Sequence, residues 1–246
     1  MYGTTLYGGN EFEYGTVYSV NVATGAEQVL YAFQGGSDGS GPYASVLDVG
    51  GTLYGTTIYG GPGNCNDGNG VGCGTVFAVN AQSGAERVLY SFRGGIDGNN
   101  PSSTLIEVGG ELYGTTSAGG NSGSACGGGS CGTVFAVNAK TGAKRTVYTF
   151  KGGTDGFIPY AGLTKVGGAL YGTTGAGGSA NCFEGCGTVF SVDPKTGVES
   201  VVYIFQGGAD GGGSTAGLIA AGGTLYGTTF YGGGTNNYGT VFAVTP

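Results

Sequence analysis

The sequence predicts an all-β protein built from tandem four-stranded repeats, and three observations support this fold class. The chain has 246 residues, of which 60 are Gly, yet 39% are hydrophobic and only 9% are charged. A disordered Gly-rich chain would be poorer in hydrophobic residues and richer in charge. Two short strings recur five times each in a fixed register. No window shows the i, i+3, i+4 spacing of an amphipathic helix.

The two recurring strings define the repeat. Tyr-Gly-Thr-Thr begins at Tyr2, Tyr54, Tyr113, Tyr171 and Tyr226. Gly-Thr-Val begins at Gly15, Gly74, Gly132, Gly187 and Gly239. The distance from each Gly-Thr-Val to the next Tyr-Gly-Thr-Thr is always 39 residues, whereas the reverse distance varies from 13 to 20. All variation in length therefore falls in one loop of each repeat, as expected of a scaffold that carries a variable surface.

Each repeat contains four short segments with β-propensity, joined by glycine turns. In the second repeat we predict strands at 46–49, 53–57, 75–80 and 87–92. A Gly-Gly step follows the first strand and a Thr-Gly or Ser-Gly turn follows the third, as in tight hairpins. The same pattern predicts first strands at 105–108, 163–166 and 218–221, and fourth strands at 147–150 and 202–205.

Four antiparallel strands in each unit of 52–59 residues are typical of a β-propeller blade. We count three strands in the first unit, four in each of three middle units and three in the last, which gives 18. The sequence thus predicts five blades, of which the terminal two are incomplete or shared. The whole chain, 1–246, is interpreted as a single repeat domain with approximate units 1–33, 34–92, 93–150, 151–205 and 206–246.

The repeated string Leu-Tyr-Gly-Thr-Thr, followed by Gly-Gly and by Gly-Thr-Val-Phe, resembles a bacterial repeat family, the Gloeo/Verruco (choice-of-anchor) tandem-repeat proteins. The resemblance covers nearly the whole chain. It implies an extracellular protein, often anchored to the cell surface, whose activity is not established. It brings no catalytic residues to carry over.

Six cysteines fall in the variable loops as three close pairs, Cys65 with Cys73, Cys126 with Cys131, and Cys182 with Cys186. An even number of cysteines paired within loops favours disulfides and hence an oxidising compartment. The alternative is metal thiolates, but the three spacings share no zinc-ligand pattern. We therefore expect three disulfides in a secreted or cell-surface protein.

One acidic residue recurs inside Gly-Gly-x-Asp-Gly, after the fourth strand of a repeat: Asp38, Asp97, Asp155 and Asp210. The favoured interpretation is a turn in which the carboxylate accepts backbone N–H bonds. The alternative is a cation site, with Ca²⁺ as the candidate cofactor.

Seventeen Tyr and no Trp are present, and most Tyr lie within the strand motifs, where we expect them to pack between sheets. Tyr7, Tyr59 and Tyr231 differ, because they lie in the variable loop just before Gly-Gly. They are the candidate ligand-binding residues, suited to stacking on a sugar ring. The alternative is that they form an aromatic lid over the edge of the blade.

Composition excludes several classes of function. There is no His, so every His-based catalytic triad and every His-ligated metal site is excluded. The net charge of −7 makes a nucleic-acid partner implausible. No apolar run approaches the roughly 18 residues of a membrane span, so we expect no transmembrane segment.

Three functions remain. The first is an extracellular scaffold or binding module that presents disulfide-closed loops on one face, with glycans as candidate ligands. The second is a structural subunit of an extracellular assembly or filament, which would self-associate through its terminal strands. The third, ranked below both, is a carboxylate-only glycoside hydrolase. Its candidate acids are the non-repeated ones, Asp67, Glu107, Glu111 and Glu184. With no evident catalytic constellation, we expect that the protein is not an enzyme.

Overall fold

The computed structural model describes residues 1–65 and 72–246 and shows an all-β protein with 19 strands in five sheets. The first sheet contains β1 (Tyr2–Thr5), β2 (Thr16–Val20) and β3 (Glu27–Ala32). The second contains β4 (Leu47–Val49), β5 (Thr52–Thr57), β6 (Thr75–Asn80) and β7 (Glu86–Ser91). The third contains β8 (Asn99–Pro101), β9 (Ile106–Val108), β10 (Glu111–Ala118), β11 (Thr133–Asn138) and β12 (Lys144–Thr149).

The fourth sheet contains β13 (Thr164–Val166), β14 (Ala169–Thr174), β15 (Thr188–Val192) and β16 (Glu199–Ile204). The fifth contains β17 (Ile219–Ala221), β18 (Thr224–Thr228) and β19 (Val241–Val244). The second and fourth sheets are antiparallel with strands adjacent in chain order, which is the arrangement that short glycine turns impose. The predicted strands are present, and the count exceeds 18 by the short strand β8.

The helical segments of the described chain are five three-residue 3-10 turns, and none of them has the length of a membrane span. Four of the five contain the recurring aspartate, and we call these the Asp turns. They are Gly36–Asp38, Gly95–Asp97, Gly153–Asp155 and Gly208–Asp210. The fifth, Ser124–Cys126, lies in a disulfide loop.

The described chain divides into two compact units, each with its own core. The first unit consists of residues 1–113 and 136–145, and the second of residues 114–135 and 146–246. In the first unit, Phe33 of the first repeat packs edge-on against Phe77 of the second, with ring centroids 5.0 Å apart. In the second unit, Phe150 and Phe190 form the same contact at 5.0 Å. Buried aromatic pairs between consecutive repeats thus form a large part of both cores.

The Thr-Thr of the strand motif forms buried hydrogen bonds that join strands and repeats. The Thr57 hydroxyl donates to the Tyr59 carbonyl at 2.9 Å and accepts from the Thr75 hydroxyl at 2.8 Å. The preceding residue, Thr56, donates to the carbonyl of Ser103 in the next repeat. The same hydroxyl pair recurs at Thr174 and Thr188, so the motif satisfies its buried polar groups internally.

The glycine before Thr-Val is required by its backbone. Gly74 has φ +92, a left-handed conformation, and a Cβ there would clash with the Thr57 carbonyl oxygen. Gly187 has φ +87 and meets the Thr174 carbonyl oxygen in the same way. A side chain at this position is excluded for two reasons: the left-handed backbone conformation disfavours it, and the neighbouring carbonyl oxygen leaves no room for a Cβ.

Candidate functional site

The recurring aspartates are occupied by local hydrogen bonds. The Tyr148 hydroxyl donates to Oδ1 of Asp155 at 2.9 Å, and the backbone N–H of Lys151 donates to Oδ2 at 2.6 Å. Asp38, Asp97 and Asp210 make the equivalent bonds to a tyrosine seven residues earlier and to an N–H four residues earlier. Burial, followed by the hydrogen bond to Asp97, raises the pKa of Tyr90 to about 12, so this hydroxyl remains a donor. These carboxylates close turns.

The four aspartates offer a poor donor set for calcium. Ca²⁺ takes six to eight oxygen ligands, whereas both oxygens of each of these carboxylates already accept hydrogen bonds. Among residues 1–65 and 72–246, no three His, Cys, Asp or Glu side chains lie close enough together to hold a metal ion. The geometry favours the turn interpretation, and calcium binding stays the alternative that experiment has to test.

The variable loops of the three middle repeats are closed by disulfides at Cys65–Cys73, Cys126–Cys131 and Cys182–Cys186. Each disulfide loop lies against the Asp turn that follows the same sheet. A Cβ at Gly94 would come within 3.2 Å of Cys73 Sγ, and one at Gly207 within 3.2 Å of Cys186 Sγ. Only glycine therefore fits between a disulfide and the turn. A disulfide loop and an Asp turn are therefore in contact at the second, third and fourth sheets.

In the second unit, two disulfide loops border a cleft of about 340 Å³, which we call the disulfide-loop cleft. One wall is the turn Ser124–Cys126 together with Gly127, and the other runs from Gly177 to Gly185. Phe157 lies between the walls and is 3% exposed. Glycines form much of the lining, so backbone N–H and C=O groups are within reach of a bound molecule.

Backbone hydrogen bonds hold Phe157 in this position. Its N–H donates to the Ala176 carbonyl at 3.0 Å, and its carbonyl accepts from the Ala176 N–H at 3.2 Å. The next residue, Ile158, donates its N–H to the Cys131 carbonyl of the preceding repeat at 3.0 Å. The aromatic ring is therefore fixed between loops of two consecutive repeats rather than mounted on a free loop.

Glu184 supplies the carboxylate of the cleft. It lies within the five-residue span that the Cys182–Cys186 disulfide closes, and its φ of 61 is left-handed, which is uncommon for a residue with a side chain. Its Oε1 faces the opposite wall, because a Cβ at Gly127 would be 3.2 Å from it. Ser124 and Ser179 also line the cleft, whereas no Lys or Arg of the described chain does. The lining offers acceptors and hydroxyls around a buried aromatic ring, without a cation.

The tyrosines predicted to bind a ligand lie elsewhere. Tyr231 packs its ring on Gly212 and Gly213 and donates its hydroxyl to the Gly185 carbonyl at 3.3 Å. Tyr59 is half-buried and forms a β-bridge with Ser40. Tyr7 is 68% exposed and is the one of the three with an accessible ring face. None of the three lines the disulfide-loop cleft.

The acids considered for hydrolysis have separate surroundings. Glu107 accepts the Gly110 N–H in a hairpin turn. Glu111 forms an ion pair with Arg145 at 2.7 Å, and this hydrogen-bonded guanidinium lowers the pKa of Glu111. Glu184 faces the cleft, and Asp67 lies outside the described residues.

Two aromatic residues of the cleft region escaped the sequence analysis. Phe157 stands where the other repeats have Ser40, Asn99 and Gly212, and Phe183 is 92% exposed inside a disulfide loop. Comparison of repeats highlights what they share, so a residue unique to one repeat is overlooked. The signal that could have found Phe157 is a hydrophobic residue at a position that is polar or Gly in the other repeats. The signal for Phe183 is the pair Phe-Glu, which also occurs at Phe12-Glu13 in the first variable loop.

Comparison with known proteins supports the fold. The family model described as the Gloeobacter/Verrucomicrobia repeat matches residues 1–242. No curated protein matches the sequence significantly. Among solved structures, the chain is similar to a putative 6-phosphogluconolactonase from Bacteroides uniformis, at 14% identity and a TM-score of 0.58, covering 99% of this chain and 67% of that one.

Two further structures are similar to a comparable degree. A chain of a nidogen/laminin complex matches at 16% identity and a TM-score of 0.53, covering 89% of this chain and 65% of that one. TolB from Acinetobacter baumannii matches at 15% identity and a TM-score of 0.51, covering 94% and 46%. This chain thus spans about two thirds or less of their lengths. The structural similarity indicates a propeller-like fold. At such low sequence identity it carries no information about ligands.

Proposed function

The chain belongs to the Gloeobacter/Verrucomicrobia repeat family, and we propose that it is an extracellular binding module whose disulfide-loop cleft takes a neutral glycan. The observation that carries the proposal is the cleft itself, where two disulfide loops enclose an aromatic ring, a carboxylate and two serines. Three disulfides support an oxidising compartment outside the cytoplasm.

The chemistry of the cleft favours a neutral sugar over a charged ligand. A carboxylate and glycine carbonyls accept hydrogen bonds from sugar hydroxyls, while glycine N–H groups donate to them. Phe157 is buried, so the aromatic face for a pyranose ring is supplied by Phe183, which is 92% exposed beside Glu184. An acidic polysaccharide would meet the Glu184 carboxylate with no cation to compensate it, in a chain whose net charge is −7.

A glycan array with both neutral and acidic polysaccharides tests this proposal. We expect binding to a subset of neutral glycans and none to acidic ones. Silence across both classes would contradict the proposal, and binding restricted to acidic glycans would contradict the assignment of the cleft.

The scaffold that carries the cleft is proposed to be a β-propeller of five blades, of which the terminal two are incomplete or shared. The five antiparallel sheets and the propeller-like neighbours support it. Small-angle X-ray scattering tests the proposal, because a ring and an extended row of sheets give clearly different radii of gyration. An extended row would contradict the propeller.

A second candidate function is assembly, and one observation favours it. The face of the fifth sheet exposes Tyr226 by 42% and Val241 by 81%. The equivalent residues of the second sheet, Tyr54 and Val76, are buried. In the second sheet, Tyr54 and Val76 are covered by another repeat of the same kind. A second copy of this chain offers the same kind of surface to Tyr226 and Val241 of the fifth sheet.

Size-exclusion chromatography with light scattering separates this role from the first. A monodisperse species of 24.1 kDa would exclude assembly. If larger species form instead, Val241→Asp should dissociate them, because it places a charge in the proposed contact. Val22→Asp, on an exposed turn, is the control that should leave them intact.

A further inference from the structure

One position of the repeat connects neighbouring sheets through charged groups. It is the first residue of the fourth strand, which lies against the Asp turn that follows the preceding sheet. This residue is Glu86 at the start of β7, Lys144 at the start of β12 and Glu199 at the start of β16. Its partners are Asp38, Asp97 and Asp155, in that order.

The Lys144 contact is an ordinary buried ion pair. Its ammonium lies 2.7 Å from Oδ1 of Asp97 and donates to the Asp97 carbonyl at 2.8 Å. The Lys144 side chain is only 4% exposed, and the rings of Tyr90 and Phe92 lie about 6 Å from its Nζ. Opposite charges satisfy each other at this position.

The Glu86 contact places two acids together. The Glu86 carboxyl is within hydrogen-bonding reach of the Asp38 carboxyl, and the Tyr31 hydroxyl also donates to Asp38. The second oxygen of Glu86, Oε1, is buried and has no hydrogen-bond partner. The groups that act on Glu86 are thus Asp38 and, through it, Tyr31. No Lys or Arg of the described chain contributes to its ionisation.

Glu199 repeats this arrangement in the second unit. It faces the Asp155 carboxylate and the Tyr148 hydroxyl, and its Oε1 is likewise buried without a partner. One cation acts on the cluster, because the Lys151 ammonium lies 5.6 Å from the centre of the Tyr148 ring. The Lys151 charge lowers the pKa of Glu199, but by less than burial and the Asp155 charge raise it.

We propose that Glu86–Asp38 and Glu199–Asp155 are proton-dependent locks, in which one shared proton joins the fourth strand of a sheet to the Asp turn that follows the preceding sheet, and its loss loosens the contact. Two carboxylates at hydrogen-bonding distance cannot both ionise cheaply, so a proton between them converts repulsion into a strong O–H···O⁻ bond. The Lys144–Asp97 contact holds the same place through an ion pair, without a shared proton.

The ionisation behaviour agrees with this geometry. Burial, and then the charge of Asp38, raises the pKa of Glu86 to about 7. Burial and the charge of Asp155 likewise raise the pKa of Glu199 to about 7. A raised pKa in the folded state means that the native protein holds more protons than the unfolded chain. The stabilisation is therefore complete below the ordinary glutamate pKa and is lost as the pH rises to about 7.

The test is the melting temperature between about pH 5 and about pH 8. We expect it to fall with rising pH by about 5 °C more in the wild type than in Glu86→Gln/Glu199→Gln. The glutamine amides donate to Asp38 and Asp155 at every pH. Glu27→Gln is the matched control, since Glu27 starts β3 at the equivalent position and is exposed. It should keep the full wild-type pH dependence.

Two outcomes would overturn the proposal. One is an equal pH dependence in the wild type and the double variant. The other is stabilisation of the wild type, but not of the double variant, by added CaCl₂ at about pH 8, which would mean that a cation rather than a proton joins the carboxylates.

Discussion

The ring of Phe190 lies directly on the Cα of Gly172, so closely that a Cβ there would be 2.6 Å from Cζ of the ring. In the second repeat, Phe77 covers Gly55 in the same way. The aromatic residue of Gly-Thr-Val-Phe therefore packs on the glycine of Tyr-Gly-Thr-Thr. The two recurring strings of the sequence are two sides of one contact between neighbouring strands.

Gly172→Ala should destabilise the protein by about 2 kcal/mol, because the methyl group overpacks a buried site between Phe190 and Leu163. Chemical denaturation followed by far-UV circular dichroism measures the effect. Gly168→Ala is the control, since nothing lies within 4 Å of a Cβ there, and it should change the stability by less than about 0.5 kcal/mol. Equal effects of the two variants would show that the contact is looser than described.

The four aspartates should differ in importance despite their common motif. Asp97→Asn leaves the buried Lys144 ammonium without a counter-charge and should cost about 3 kcal/mol. Asp210→Asn weakens only the bonds to the Tyr203 hydroxyl and the Gln206 N–H and should cost about 1 kcal/mol. Denaturation midpoints of both variants give the comparison. A larger loss at Asp210 would contradict the assigned role of Lys144.

The Cys182–Cys186 disulfide should matter for binding as well as for stability, because it shapes the turn that carries Glu184. Replacing both cysteines by serine should weaken binding of the array-selected glycan by about tenfold, which corresponds to about 1.4 kcal/mol. The same double replacement at Cys65 and Cys73, outside the cleft, should reduce stability and leave the affinity unchanged. Equal losses of affinity would place the binding site elsewhere.

Removal of calcium should have no effect on the melting temperature at neutral pH. The carboxylates of Asp38, Asp97, Asp155 and Asp210 are occupied by tyrosine hydroxyls and backbone N–H groups, which leaves a cation few free oxygen ligands. Differential scanning calorimetry with and without EDTA measures this. A lower melting temperature in EDTA, reversed by Ca²⁺, would restore the cation interpretation.

Much of the fold could be predicted because the five repeats of this one sequence can be aligned with one another. Five copies of each string locate the strands, and the three disulfides follow from loop position and parity. The strand β8 was missed because Asn99–Pro101 contains no β-branched or aromatic residue. The Asp turns were predicted as turns, whereas their tyrosine partners depend on side-chain orientation that spacing alone does not give.

Less of the candidate site could be predicted from the sequence. The cleft depends on Phe157 and Glu184, which belong to different loops. Phe157 has no hydrophobic counterpart in the other repeats, whereas the pair Phe183-Glu184 also occurs as Phe12-Glu13 in the first variable loop. The tyrosines chosen instead share a position before Gly-Gly, and in the structure Tyr231 covers glycines of its own repeat. The lining combines glycines of the shared motifs, such as Gly153 and Gly177, with Phe157 and Glu184, which the shared motifs do not include.

The most direct test of the proposed function is isothermal titration of the array-selected neutral glycan into the wild type, Phe183→Ser, Glu184→Gln and Tyr7→Ser. Phe183, Glu184 and Tyr7 are exposed, so none of these variants should disturb the fold. The cleft assignment predicts that Glu184→Gln weakens binding by about tenfold or more, that Phe183→Ser weakens it too, and that Tyr7→Ser has no effect. Full affinity in Glu184→Gln and Phe183→Ser together with a loss in Tyr7→Ser would contradict it.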